Sequence, residues 1–329
     1  MFDSAKKLIN DAHKIIVIQA ENPDGDSLGS SLALEEILGD LGKEVALYCP
    51  VEIPKYLRYF PGWDRVSSEF DPSADLAIIV DTSADVLLTK VLETPGARSF
   101  LETHPVLVID HHTTKSTLSF PVTELFDNAI ATSELIYKLA KDADWDINAQ
   151  AAEHMLGAQL ADSLGLSIQT VSPENYRIAA DLTELGAHVG TIEERRREFM
   201  KKSQEILTYK GELIRRIEYM LDGKLALVHI PWEDIQAYSD QYNPSVLVLD
   251  EMRLVEGVDV AIAIKTYPDG KLTGKLRSNL PVSEAIAGYF GGGGHPYAAG
   301  FRTYESYDAI VRELIEATEK ALKEHHEAA

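Results

Sequence analysis

The chain is poor in basic residues. Of 329 residues, 31 are lysine or arginine against 53 aspartate or glutamate, a formal net charge of −22. A protein that coats long nucleic acid needs a basic track to neutralise many phosphates, and this composition argues against one. A short anion held in one cleft by cations and a few basic side chains remains compatible with it. Cysteine is almost absent. Cys49 stands alone, so no internal disulfide can form and a reducing cytoplasm is the expected compartment. It ends the apolar stretch Val45-Ala46-Leu47-Tyr48-Cys49, which marks it as core rather than nucleophile. No apolar run approaches the roughly 20 residues of a membrane helix, and the opening MFDSAKKLIN has no signal-peptide apolar stretch. No membrane contact is expected. Internal repeats and low-complexity segments are absent too.

What is present suits two domains, since 329 residues exceed one ordinary core. The first half alternates short apolar, β-branched runs with helical patterns. Residues 14–18, 44–48, 76–80 and 106–109 read as strands; 27–41, 132–141 and 149–161 read as helices. Continuous apolar strands alternating with helices predict an α/β fold with a doubly wound parallel sheet. From Tyr176 the pattern turns helical, through Leu185, a Gly186/Gly190 break, and then residues 192–219. The charge-dense Glu193-Glu194-Arg195-Arg196-Arg197-Glu198 reads as a solvated face of a connector rather than a substrate contact. Residues 225–230, 258–265 and 272–277 are expected strands, with Pro268-Asp269-Gly270 as a hairpin turn. Helices over 283–290 and 307–323 complete a smaller α+β domain. The expected division is 1–185, a helical linker over 186–220, and 221–329.

Acidic residues stand at the carboxyl ends of successive strands: Asp24 and Asp26 after the first, Asp81 after the third, and Asp110-His111-His112 after the fourth. In a doubly wound sheet these ends border the ligand crevice. Asp162, where a helical pattern breaks, is a fourth contribution. Any one aspartate there could be a helix N-cap or turn residue, and Asp24 or Asp26 could simply cap. Capping does not account for two adjacent histidines after a buried strand and an acid. So much negative charge in one crevice, without cations, would cost on the order of several kcal/mol. Oxygen-rich ligands with a minority of imidazole suit Mn²⁺ or Mg²⁺.

These residues resemble, in order, the four motifs of DHH phosphoesterases: Asn22-Pro23-Asp24-Gly25-Asp26-Ser27-Leu28-Gly29-Ser30, Val80-Asp81, Asp110-His111-His112 and Ala161-Asp162-Ser163. Gly291-Gly292-Gly293-Gly294-His295-Pro296 resembles the glycine-rich signature of the companion DHHA1 domain. Arg277-Ser278 resembles the pair that precedes it in the nanoRNase/pAp-phosphatase subfamily. The resemblance implies a DHH domain followed by a DHHA1 domain and a site for two adjacent metals. Asp81 would bridge them, Asp24 would bind the first, and Asp26, His111 and Asp162 the second. His112 would sit by the scissile phosphate, with Asp110 orienting the histidines. Arg277, Ser278, Gly292, Gly293, Gly294 and His295 would grip the substrate across a cleft. A homodimer is also implied.

One position departs. The family carries a histidine ligand of the first metal three residues before the motif proline, and this chain has Ala20. Glu21 could substitute if the strand ends early. Otherwise the first site is weak, or turnover is lost. For Arg277 the rival role is a surface salt bridge, and for the glycines a flexible turn. Three functions therefore stand: hydrolysis of short oligoribonucleotides or linear dinucleotides to mononucleotides, with pAp to AMP; cleavage of cyclic dinucleotides; or nucleotide binding without turnover.

Overall fold

The computed structural model describes residues 2–112 and 115–328. The chain divides into two compact units, Met1–Lys201 and Lys202–Ala329. In the first, α1 (Asp3–Asp11) leads into β1 (Lys14–Ile18), α2 (Gly25–Asp40) and β2 (Glu44–Tyr48). Then come β3 (Leu76–Val80), α3 (Thr89–Glu93), α4 (Ala97–Thr103), β4 (Val106–Asp110) and β5 (Thr123–Phe126). Four helices close the unit: α5 (Thr132–Asp142), α6 (Ala149–Asp162), α7 (Pro173–Glu184) and α8 (Val189–Phe199).

The five strands pair in the order β2-β1-β3-β4-β5, and every pair is parallel. β3 and β4 are buried at every residue because both their faces are covered. Ile15, Val17, Ile78 and Val80 pack with α2, α5 and α6 on one face. Ile16, Ile18, Ile79 and Val108 pack with α3 and α4 on the other. This is the expected doubly wound sheet. Its order reverses between β1 and β3, and the crevice outside their carboxyl ends is where such folds place ligands.

Two features differ from expectation. β5 is an edge strand with one buried residue, Leu125, so it lacks the apolar run that marks its neighbours. The helical stretch expected over 192–219 is two helices and the start of a strand. α8 ends at Phe199, and α9 (Gln204–Arg215) opens the second unit with the Ser203 side chain capping the Ile206 N–H at 3.2 Å. Gly186 is left-handed (φ 110°) and ends the preceding helix, whereas Gly190 lies inside α8.

The second unit continues with β6 (Glu218–Met220), β7 (Leu225–Ile230), α10 (Trp232–Tyr238), α11 (Pro244–Arg253) and β8 (Val260–Thr266). It ends with β9 (Leu272–Ser278), α12 (Ser283–Tyr289), β10 (Gly293–His295), β11 (Ala298–Thr303) and α13 (Tyr307–Ala328). Its six strands form one mixed sheet, β10-β11-β9-β8-β7-β6, in which only β7 and β8 are parallel. α12 and α13 cover one face, α9 and α11 part of the other. The smaller α+β unit is as expected.

Candidate metal centre

α2 starts at the mouth of the crevice. Asp24 is its N-cap: one carboxylate oxygen accepts from the N–H groups of Asp26 (3.0 Å) and Ser27 (2.9 Å). Asp26, two residues on, is fully buried and needs partners of its own. Its Oδ2 accepts from the Thr132 N–H at 2.5 Å, and its Oδ1 from the Ser133 N–H at 3.2 Å and the Ser30 hydroxyl at 3.1 Å. Thr132 and Ser133 open α5, so the unpaired amides of one helix start bind a carboxylate at the start of another.

Asp81 follows β3 in the left-handed region, φ 62°, a conformation that aspartate tolerates better than most residues. The twist turns its carboxylate towards Thr132, whose hydroxyl donates to it at 3.2 Å. β4 then delivers Asp110, His111 and His112. The Nδ1 of His111 lies 3.1 Å from the Ala129 carbonyl, and since a carbonyl only accepts, Nδ1 carries a proton and, in the neutral ring, Nε2 keeps its lone pair. That Nε2 stands 3.5 Å from Asp81, 3.6 Å from Asp162 and 3.9 Å from Asp26. Asp162 arrives as the last residue of α6. His112 Nδ1 donates to Asp110 at 2.7 Å and lies 3.8 Å from Asp81.

Two overlapping triads result, Asp81-His111-His112 and Asp26-His111-Asp162, each with its ligand atoms within 4.8 Å of one another. Burial pushes the carboxyls of Asp26 and Asp81 above their ordinary range, and neighbouring carboxylates push the same way. Asp162 is pushed up to about 7 by burial and then by Asp26. Asp110 is the contrast: burial raises it, but hydrogen bonding and charge from His112 outweigh that and hold it low. The Asp110 hydrogen bond raises His112 in turn. The buried Asp26 and Asp81 and the half-buried Asp162, which oppose one another's ionisation around the inward Nε2 of His111, fit a divalent cation with oxygen and nitrogen ligands.

The comparisons decide the family. Residues 14–168 match the model of the DHH family, N-terminal domain. The first unit is a DHH-family domain. Over 283 residues, 85% of this chain and 81% of the relative, the sequence is 28% identical to the bifunctional oligoribonuclease and PAP phosphatase NrnA of Thermus thermophilus. It is 29% identical over 181 residues, 52% of this chain and 56% of the relative, to a probable manganese-dependent inorganic pyrophosphatase of Enterococcus faecalis. An exopolyphosphatase-related protein from Bacteroides fragilis shares the fold at a TM-score of 0.83 and 23% identity, covering 97% of this chain and 95% of that one.

Within the DHH domain, three placements bear on the expected ligand sets. Asp24, expected on the first metal, is exposed, caps α2 and belongs to neither triad. The residue common to both triads is His111, and Asp81, the expected bridge, belongs to one of them. Glu21, the candidate to replace a histidine at Ala20, has its Oε2 accepting from the Lys90 N–H at 2.8 Å, which ties the crevice edge to α3. Ala20 itself is buried, and Gln19 beside it buries an amide that has no hydrogen-bond partner among the described residues. Thr132, Ser133 and Ala129 were missed. The signal for Thr132 and Ser133 was the start of the helix predicted over 132–141, since a helix start supplies free amides to an anion.

In the second unit, Arg277 is half-buried and makes no ion pair among the described residues; its Nη1 donates to the Leu276 carbonyl at 3.0 Å. Lys275 lies two residues before it on the same face of β9, and Lys265 lies diagonally across on β8. Burial and then the Lys275 charge lower Lys265 to about 8, so this face gathers cations without carboxylates to balance them. Ser278, expected at the substrate, points the other way: it is fully buried and bonded to the Leu280 carbonyl (2.5 Å) and the Ser283 hydroxyl (2.8 Å). The glycine segment is a hairpin edge rather than a loop, with Gly293 paired to Gly300 and Gly294 to Ala299. A β-carbon at Gly292 would stand 2.2 Å from the Gly300 carbonyl, so close backbone packing demands that glycine. The side chain of His295 lies outside the described residues.

Proposed function

We propose that the protein is a metal-dependent phosphoesterase that hydrolyses short oligoribonucleotides or linear dinucleotides to mononucleotides, and pAp to AMP. The observation that carries it is the convergence of Asp26, Asp81, Asp162 and His111 at the β1/β3 switch point. The likeness to an enzyme named as an oligoribonuclease and PAP phosphatase, over most of both chains, points to the substrate class. Asp26, Asp162 and His111 would hold one cation, and Asp81, shared with a second site, would approach both; Asp24 would reach the second site through its other oxygen. Manganese, with magnesium as the alternative, is the metal we propose. Bound there, such cations supply Lewis acidity to phosphoryl oxygens and lower the pKa of water.

The chain's own residues do the rest. Thr132, Ser133 and Ser30 fix both oxygens of Asp26, so no reorganisation is needed on binding. The Ala129 carbonyl sets the tautomer of His111. Asp110 orients His112 and favours its protonated form, which suits it to donate to an oxygen of the scissile phosphate. Arg277, with no carboxylate partner among the described residues, would bind a substrate phosphate. The acidic composition fits a short substrate, and the lone buried Cys49 fits a reducing cytoplasm. Among the described residues no helix is long and apolar enough to cross a membrane.

A second reading follows from Ala20: nucleotide binding with little turnover, because that position offers no donor. An assay with Mn²⁺ against a linear dinucleotide, a cyclic dinucleotide, pAp and a longer RNA separates the readings. Turnover of the dinucleotide and pAp but not the longer RNA is expected. Preference for the cyclic dinucleotide, or binding with no hydrolysis, would replace the proposal with one of its rivals.

A further inference from the structure

The first unit has a cavity of about 430 Å³ that the metal centre does not use, within the range of about 300–1,000 Å³ typical of small-molecule sites. Its floor includes Gly25 and Ala161, the chain neighbours of Asp24, Asp26 and Asp162. Successive α-carbons are about 3.8 Å apart, so the backbone that carries three carboxylates of the site also forms part of the cavity lining. The Tyr59 hydroxyl reaches to 3.6 Å from where a Gly25 β-carbon would stand.

The walls are mostly apolar or aromatic. Arg196 is the one lysine or arginine among the described lining residues, and its charge is already matched: Glu193 takes three hydrogen bonds from it, at 2.9, 3.0 and 2.7 Å. A phosphate would find no unmatched cation here. A guanidinium held flat by a carboxylate is instead a stacking plate for a neutral planar ring. At the mouth Leu164, two residues past Asp162, is 66% exposed and left-handed, φ 51°. A large apolar side chain kept in that conformation at a cavity rim suits covering a flat ligand.

We propose that this cavity, walled by Tyr56, Tyr59, Leu164, Ile192, Arg196 and Met200, receives a nucleobase of the nucleotide whose phosphate lies at the metal centre. The proposal rests on the phosphoesterase reading above and deepens it. Base selectivity would then reside in the first unit, carried by residues from the turn after β2 and from α8.

The test is Met200→Trp, which fills the cavity, with Leu164→Ala as a milder variant at an exposed position. Substrates are a dinucleotide and its analogue lacking one base. Base stacking of about 1–3 kcal/mol corresponds to roughly a 5–150-fold change in affinity, so Met200→Trp should raise KM for the dinucleotide about ten-fold or more, with kcat little changed. Leu164→Ala should raise it less. The analogue lacking the bound base should start from the higher KM and not respond to either variant. An equal rise for both substrates, or no rise, overturns the proposal. If no phosphate ester is hydrolysed at all, the phosphoesterase reading fails separately. Calorimetry with adenosine in EDTA then decides the cavity: binding by the parent but not by Met200→Trp supports it, and no binding by the parent refutes it.

Discussion

Asp81→Asn removes a charge from the centre and almost nothing else. Asparagine has the same shape, tolerates the left-handed backbone that Asp81 adopts, and can still accept the Thr132 hydroxyl hydrogen bond. What disappears is an anion that burial disfavours most and that Asp26, Asp24 and Asp162 oppose further. Without metal the variant should therefore be more stable than the parent, by about 1–2 kcal/mol, the upper part of the range for a single stabilising substitution. The sign follows from the raised folded pKa. Below the unfolded value of about 3.9 the aspartate is protonated in both states, and the difference vanishes; it grows as pH rises through the folded value. Urea unfolding in EDTA at pH 8, followed by the fluorescence of Trp63 and Trp145 in the first unit, measures it. With Mn²⁺ at 100 times its dissociation constant the parent gains about 2.7 kcal/mol that a ligand-deficient variant lacks, so the order should reverse. Mn²⁺-dependent turnover should fall by more than the roughly 10–100-fold typical of residues one step outside a metal site. Lower stability than the parent in EDTA, or turnover equal to the parent's, would refute the reasoning.

Three further outcomes are expected. His154 is fully buried on α6 with neither ring nitrogen partnered among the described residues, and burial, then Arg65 and Arg195, lowers it to about 3. Its neutral form contributes full stability above pH 6.5 and about 1.4 kcal/mol is lost per pH unit below, so His154→Leu should lose about 2 kcal/mol less than the parent between pH 7 and pH 5; equal losses would contradict this. Arg277→Ala should raise KM about ten-fold, from the roughly 1.5–3 kcal/mol of a charge-assisted phosphate contact, and an unchanged KM would remove Arg277 from the site. Ala20→His should raise turnover at low Mn²⁺ by completing the donor set, while Glu21→Ala should leave turnover intact because its carboxylate holds the Lys90 amide; an inactive Glu21→Ala with no gain from Ala20→His would reverse those roles.

Much of the DHH domain was legible because its central strands are apolar, Ile/Val/Leu-rich runs, β3 and β4 leading directly into Asp81 and Asp110 and β1 into the loop that carries Asp24, and the switch-point rule brings those ends together. β5 was not, since an edge strand with Glu124 and a single buried Leu125 carries no such run. The split between α8 and α9 hid behind continuous charged residues that suit a helix on either side of Lys201. Within the site, the residue types were readable but their division of labour was not. Which aspartate caps α2, and which histidine both triads share, depend on backbone hydrogen bonds to Thr132 and Ala129 from parts of the chain far apart in sequence. The cavity beside the site joins residues near 56 and near 196, and no local pattern announces it.

The contact between α2 and α6 sets a length. A β-carbon at Gly25 would stand 2.4 Å from that of Ala161, and one at Gly29 would stand 2.8 Å from Ala158 Cβ and the His154 carbonyl. The two helices meet almost backbone to backbone. Asp26 rides on one and Asp162 ends the other, so the gap between those carboxylates is a caliper locked by main chain rather than by adjustable side chains. A locked caliper sorts ions by size. Magnesium takes oxygen at about 2.0–2.1 Å in octahedral geometry, whereas calcium asks for six to eight oxygens at about 2.3–2.6 Å and a cage that yields. If Asp26 and Asp162 hold the proposed cation, a helix pair packed this closely would disfavour the larger ion, and a methyl group at Gly25 would press the two helices apart.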